Sequence, residues 1–217
     1  MTRSNATARP AKLAHHFEDL TQQHEAANLG MWVFLAQEVL FFGAIFLGYA
    51  TYRYLYPEVF VAASHHLDVT LGSINTGVLL TSSLTMALSV HAAQIGHRRA
   101  LVGFLLVTML LGTVFLGIKG LEYSHKFEEH LVPGSDFRFT GAPLGQARLF
   151  FFLYFVMTAI HGLHVLIGIA VIGVIALLAW RGGFSPDYYA PVEGTGLYWH
   201  FVDIVWVFLF PLLYLIR

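Results

Sequence analysis

Gly194-Thr-Gly-Leu-Tyr-Trp-His-Phe-Val-Asp-Ile-Val-Trp-Val-Phe-Leu-Phe-Pro-Leu-Leu-Tyr-Leu-Ile216 decides the fold class. Its length and apolar content suit a helix that crosses a hydrocarbon core of roughly 30 Å. His200 and Asp203 nevertheless lie inside it. An aspartate near the bilayer centre costs about 2.5 to 3.5 kcal/mol on insertion scales, so a partner or a function normally accompanies one. Positions 200 and 203 share one helix face, and neighbouring helices have to supply the groups they meet.

The rest of the chain supplies four more such helices. Of its 217 residues 57% are apolar, 15% aromatic and only 12% charged, a membrane-protein composition. A formal charge of −1 removes the electrostatic case for nucleic acid. With no cysteine there is no disulfide framework, thiolate metal site or Cys nucleophile. Residues 1–26 read as a polar tail, with some helix expected around Phe17 to Glu25. Spans are expected at about 27–52, 71–94, 100–121, 149–180 and 194–216, giving an all-α bundle of five transmembrane helices over 27–217. Pro57 and the His65-His66-Leu67-Asp68 cluster read as a short loop. Asn75, Ser82, Thr85 and Ser89 form a stripe suited to helix contact, and Gly103, Gly112 and Gly117 allow close backbone approach. Lys119 and Glu122 follow the third span at ion-pair spacing. The stretch with Glu128, Pro133, Gly134, Gly141 and Pro143 reads as an irregular loop.

Lys and Arg do not orient the bundle. Arg3, Arg9, Lys12, Arg98, Arg99 and Arg181 on the N-terminal side face Arg53, Lys119, Lys126, Arg138, Arg148 and Arg217 on the other, six against six. Only the short Arg98-Arg99 turn leans towards an N-terminus inside.

Glu38, His161, His164, His200 and Asp203 sit at middling depth on three helices. They are open to three readings. A satisfied polar network that fixes packing is the plainest. A proton path or reservoir centred on Glu38 is the second. The third is a metal site, but the Glu-x-x-His spacing of carboxylate di-metal bundles is absent; His161-x-x-His164 and His200-x-x-Asp203 stand instead. His161 and His164 share a face and cannot take opposite axial positions on a haem. The loop histidines His65, His66, His91, His97, His125 and His130 read as interfacial.

Five segments together carry a resemblance. Phe34-Leu-Ala-Gln-Glu-Val-Leu-Phe-Phe-Gly43, Ile74-Asn-Thr-Gly-Val-Leu-Leu80, Leu121-Glu-Tyr123, His161-Gly-Leu-His-Val165 and Tyr198-Trp-His-Phe-Val-Asp-Ile-Val-Trp206 resemble, in order, subunit III of the haem-copper terminal oxidases. The glutamate in Glu38-Val-Leu-Phe-Phe42 looks like the cytochrome c oxidase branch; the ubiquinol branch often has Asp there.

The resemblance implies a non-redox accessory subunit of a proton-pumping respiratory oxidase that passes electrons from cytochrome c to oxygen. It would lie in the bacterial cytoplasmic membrane, N-terminus inside, packed on subunit I with subunit II and small subunits in the same complex. Haem and copper are expected in those partners and no metal or catalytic residue in this chain. Structural phospholipid is expected, with Arg98 and Arg99 as headgroup candidates. Glu38 carries over as the carbodiimide-reactive carboxyl, and Glu122, His161, His164, His200 and Asp203 as internal polar positions. The chain resembles the five-helix bacterial form, without the two N-terminal helices that form a lipid-filled V in longer members. The alternatives are subunit III of a quinol oxidase or nitric oxide reductase, and, in another class, a stand-alone proton-coupled transporter.

Overall fold

The computed structural model describes residues 19–186 and 188–216, and over them the chain is helical with no strand. The six helices are α1 (Leu20–Leu55), α2 (Pro57–Ser64), α3 (Val69–Gln94), α4 (Arg98–Glu128), α5 (Leu144–Trp180) and α6 (Ala190–Tyr214). All but α2 are long and apolar enough to cross a membrane.

Helix ends follow local chemistry. Asp19 caps α1 by accepting from Gln22 N at 2.7 Å, so the helix expected around Phe17 to Glu25 is, from Leu20 on, continuous with the first span. The part of the polar tail before residue 19 lies outside the described residues. Pro57 stops α1 because Tyr56, ahead of it, is pushed out of helical geometry (φ −132°, ψ 55°). The same proline is a favourable first residue for α2, with Glu58 in the first turn. What reads as a loop is therefore an eight-residue helix that buries Val59, Phe60 and Ala63. Asp68 then caps α3 through Thr70 N and Leu71 N at 2.8 and 3.0 Å.

Helix α4 runs to Glu128, well past the expected end at Leu121, because no Pro or Gly interrupts it there and its interior charges are paired. At 37 residues α5 is about 55 Å long, more than a bilayer core requires, so it has to tilt, project beyond the hydrocarbon, or both.

Helices α3, α4, α5 and α6 close a four-helix ring: α3 packs on α4, α4 on α5, α5 on α6 and α6 on α3. Outside that ring α1 leans mainly on α6 and leaves Trp32, Val33, Leu40 and Leu47 exposed. The α3 stripe faces inward as expected. Asn75, Ser82 and Ser89 are fully buried, Ser82 Oγ accepts from Trp199 Nε1 at 3.0 Å, and Thr85 bonds Thr108 at 2.7 Å.

Trp199 fills the ring because two glycines make room for it. A Cβ on Gly112 would lie 2.7 Å from its ring, and one on Gly168 2.8 Å. Gly103 and Gly117, expected to serve the same purpose, face open space, as does Gly120, so only one of the four α4 glycines mediates a close approach to a neighbouring helix. Gly168→Ala is expected to overpack this site by about 1–3 kcal/mol and lower the melting temperature of the detergent-solubilised protein. Gly103→Ala, measured alongside, should leave it unchanged or slightly raised.

Candidate functional site

The polar side chains inside the bundle fall into separate groups, each set by the helix faces that carry them. Glu38 of α1 and His164 of α5 form the first, with Glu38 Oε2 3.2 Å from His164 Nε2. His164 Nδ1 lies 2.8 Å from Ile160 O, which can only accept, so Nδ1 carries a proton. Two forms remain for the other nitrogen. Either a protonated Glu38 donates to neutral Nε2, or an imidazolium donates to a carboxylate. In both the pair shares one proton and carries no net charge. Phe42 and Phe41 pack on the imidazole at 5.1 and 6.4 Å between ring centres, which keeps lipid and water from most of it. Tyr198 OH donates to His164 O at 3.0 Å and fastens α6 to the same turn.

A second group lies deeper. Lys119 Nζ donates to Glu122 Oε2 at 3.0 Å, to Tyr214 OH at 2.6 Å and to Tyr154 OH at 3.3 Å. Both phenols in turn donate to Glu122 Oε1, at 2.8 Å from Tyr154 and 2.5 Å from Tyr214. The ammonium has spent its three protons and the carboxylate receives three hydrogen bonds. The rings of Tyr123, Tyr154, Trp206 and Tyr214 surround Nζ at 5.2–5.7 Å, adding cation–π attraction. Glu122 is 2% exposed and both phenols are fully buried. This knot ties α4, α5 and α6 together. Sequence reasoning set Lys119 and Glu122 at the end of the third span, took Glu122 as an internal polar position from the resemblance at Leu121-Glu-Tyr123, and passed over Tyr154 and Tyr214. From the residues alone the signal was the three-residue spacing of a lone Lys and Glu in otherwise apolar surroundings.

Ser83 of α3 meets His200 of α6 at 2.6 Å between Oγ and Nδ1. Asp203, one turn on, is buried, and its Oδ1 has no hydrogen-bond partner. The structure thus brings His200 to α3 and leaves Asp203 only partly satisfied. His161 stands alone: neither ring nitrogen has a partner, while its ring stacks on Trp206 at 5.3 Å and meets the edge of Phe115 at 5.5 Å. One continuous network does not form. What connects the groups is a stripe on α5, where His164, His161, Thr158 and Tyr154 follow at three- and four-residue steps over about 15 Å, from Glu38 to Glu122. Thr158 belongs to it through Tyr123 OH at 2.6 Å.

Among the described residues no three His, Cys, Asp or Glu side chains converge as metal ligands. His164 and His200 each contact neighbouring side chains, and aromatic rings pack on the plane and edge of His161.

At the far end of α4, Arg98 Nε donates to Ala179 O at 3.0 Å, closing the last turn of α5, and Arg99 is exposed beside it. Between α1 and the α5–α6 pair opens a cleft of about 780 Å³ walled by Met31, Phe34, Ile167, Val171 and Tyr198.

A sequence model described as cytochrome c oxidase subunit III matches residues 12–216. The chain is 35% identical to the quinol oxidase subunit 3 of Bacillus spizizenii, over 86% of this chain and 85% of that protein. It is 31% identical to the cytochrome c oxidase subunit 3 of Corynebacterium diphtheriae, over 88% of each. With the cytochrome c oxidase subunit 3 of Papio hamadryas it shares 30% identity over 92% of this chain and 72% of that protein.

The Lys119–Glu122 pair is open to a double-mutant cycle. Lys119→Met or Glu122→Gln alone strands a buried charge and should cost about 3–5 kcal/mol, read as a large drop in melting temperature and in recovered protein. The double variant should recover part of that loss, whereas additive losses would show the two groups to be uncoupled.

Proposed function

Because this chain belongs to the cytochrome c oxidase subunit III family, we propose that it is the non-redox subunit III of a proton-pumping oxidase that takes electrons from cytochrome c. Membership places it, as a multi-pass membrane protein, among the subunits of a respiratory oxidase complex. The stand-alone transporter gives way to that membership. The finer assignment is our own: a bacterial cytoplasmic membrane, N-terminus inside, direct packing on subunit I, with subunit II and small subunits in the same complex. Haem and copper would reside in the partners, where they supply the redox chemistry. The exposed apolar face of α1 offers a surface for subunit I.

The observation that carries the proton-related role is the Glu38–His164 pair. Its single shared proton can move between carboxyl and imidazole without changing the charge of the site. Such a pair holds a proton at a depth where a bare charge is expensive. We assign Glu38 the reactive carboxyl and give Glu122, His161, His164, His200 and Asp203 the task of holding the helices around it. Through that scaffold the subunit would support proton uptake at subunit I. The cleft between α1 and the α5–α6 pair is a place for structural phospholipid.

Quinol as the electron donor is the second reading, favoured by the 35% identity to a quinol oxidase subunit. The complex purified through a tag on this chain should oxidise reduced cytochrome c; oxidation of quinol alone would select the second reading, and absence of any oxidase would end both. Glu38→Gln should abolish carbodiimide labelling of this chain while assembly and the haem spectrum persist, because the amide still donates to His164 Nε2. Unchanged labelling would remove Glu38 from the reactive role.

A further inference from the structure

The flank of the ring formed by α4 and α5 carries an apolar groove of about 520 Å³, distinct from the cleft beside α1. Val102, Leu106 and Met109 make its α4 wall, and Gly173, Ala176 and Trp180 its α5 wall. Both sets recur at three- and four-residue steps, so the groove runs straight along the two helices. Its α4 wall covers about 10 Å of rise, two thirds of the depth of one leaflet. Gly173 keeps it open, since a Cβ there would already touch Met109 Cε at 3.4 Å.

Charge closes one end only. Arg98 stands one turn before Val102 on the same face of α4, Arg99 adjoins it, and Arg181 follows Trp180 at the end of α5. All three are exposed, and none forms an ion pair with a described carboxylate. Arg98 uses Nε on Ala179 O, and its Nη1 lies near Gly182. No acidic residue sits in the first turn of α4, and its cap residue His97 makes no side-chain hydrogen bond. Two cations at a helix N-terminus oppose the helix dipole, and an anion there relieves both. Trp180, exposed at the same level, is a residue that favours the headgroup boundary.

We propose that this groove binds one anionic phospholipid, an acyl chain lying between α4 and α5 and its phosphate held by Arg98, Arg99 and Arg181. A slot that is apolar along its length and cationic at one end matches a molecule with one apolar chain and one anionic head. The site deepens the phospholipid part of the proposed function and does not depend on the electron donor.

The test is native mass spectrometry of the whole complex, isolated through a tag on this chain and supplied with phosphatidylglycerol or phosphatidylcholine. The parent complex should keep one phosphatidylglycerol in preference to phosphatidylcholine. Arg99→Gln with Arg181→Gln, which spares the contact of Arg98 with α5, should reduce that preference by about tenfold or more. Gly173→Leu, which fills the groove and leaves the arginines in place, should release the lipid with the subunit inventory unchanged. Equal retention of both lipids by the parent overturns the site, as does phosphatidylglycerol retention unaffected by Gly173→Leu. Cross-linking of Cys introduced at Val102 to a single-span partner chain would also overturn it. None of these results alters membership of the oxidase, which the activity and subunit inventory of the same preparation report.

Discussion

A lysine and a glutamate that would each be intolerable in hydrocarbon are made tolerable here by meeting each other. Lys119 and Glu122 use every proton and most lone pairs they have on each other and on two phenols, one from α5 and one from α6. The arrangement is all or nothing: removing any one member exposes the rest to a medium with no water to replace it. In an apolar bundle, where greasy contacts with lipid and with protein differ little in energy, such a knot gives α4, α5 and α6 one preferred register. Trp206 lies over it and Trp199 fills the ring nearer the other end, wedged past Gly112 and Gly168. Register and close packing therefore reinforce each other.

Glu38 and His164 answer a different need. Their contact is longer, lies between the peripheral α1 and α5, and is sheltered by phenylalanines rather than locked by a ring of donors. A saturated knot and a two-membered pair, joined by one polar stripe on α5, are the contrast on which the proposed division between stability and proton handling rests.

The five long helices were legible in the sequence because apolar runs of bilayer length have few other uses, and Glu38 and the His161–His164 spacing stood out as ionisable groups inside them. The short α2 was not, since Pro57 signals the end of one helix and the start of another with the same residue. The end of α4 was misplaced because an unpaired charge normally terminates a span, and nothing in the linear order reveals that Lys119 is paired across to Tyr214, 95 positions away. For the same reason Tyr154 and Tyr214 looked like ordinary aromatic residues. His161 is the reverse case: its position invited a partner, and the fold surrounds it with rings instead.

The last turns of α6 are fastened to the first third of the chain. Tyr49 OH donates to Leu212 O and Ser64 Oγ to Ile216 O, both at 2.5 Å. During synthesis α1 and α2 leave the ribosome some 150 residues before those carbonyls exist. Until then the Tyr49 phenol lacks the acceptor it has in the finished chain, whereas the Ser64 hydroxyl already has Val61 O, 2.8 Å away within its own helix. Insertion and locking are therefore separate events, and α1 stays loosely held until translation is nearly over. A neighbouring subunit that recognises the finished position of α1 would, by the same token, distinguish a fully made chain from a truncated one.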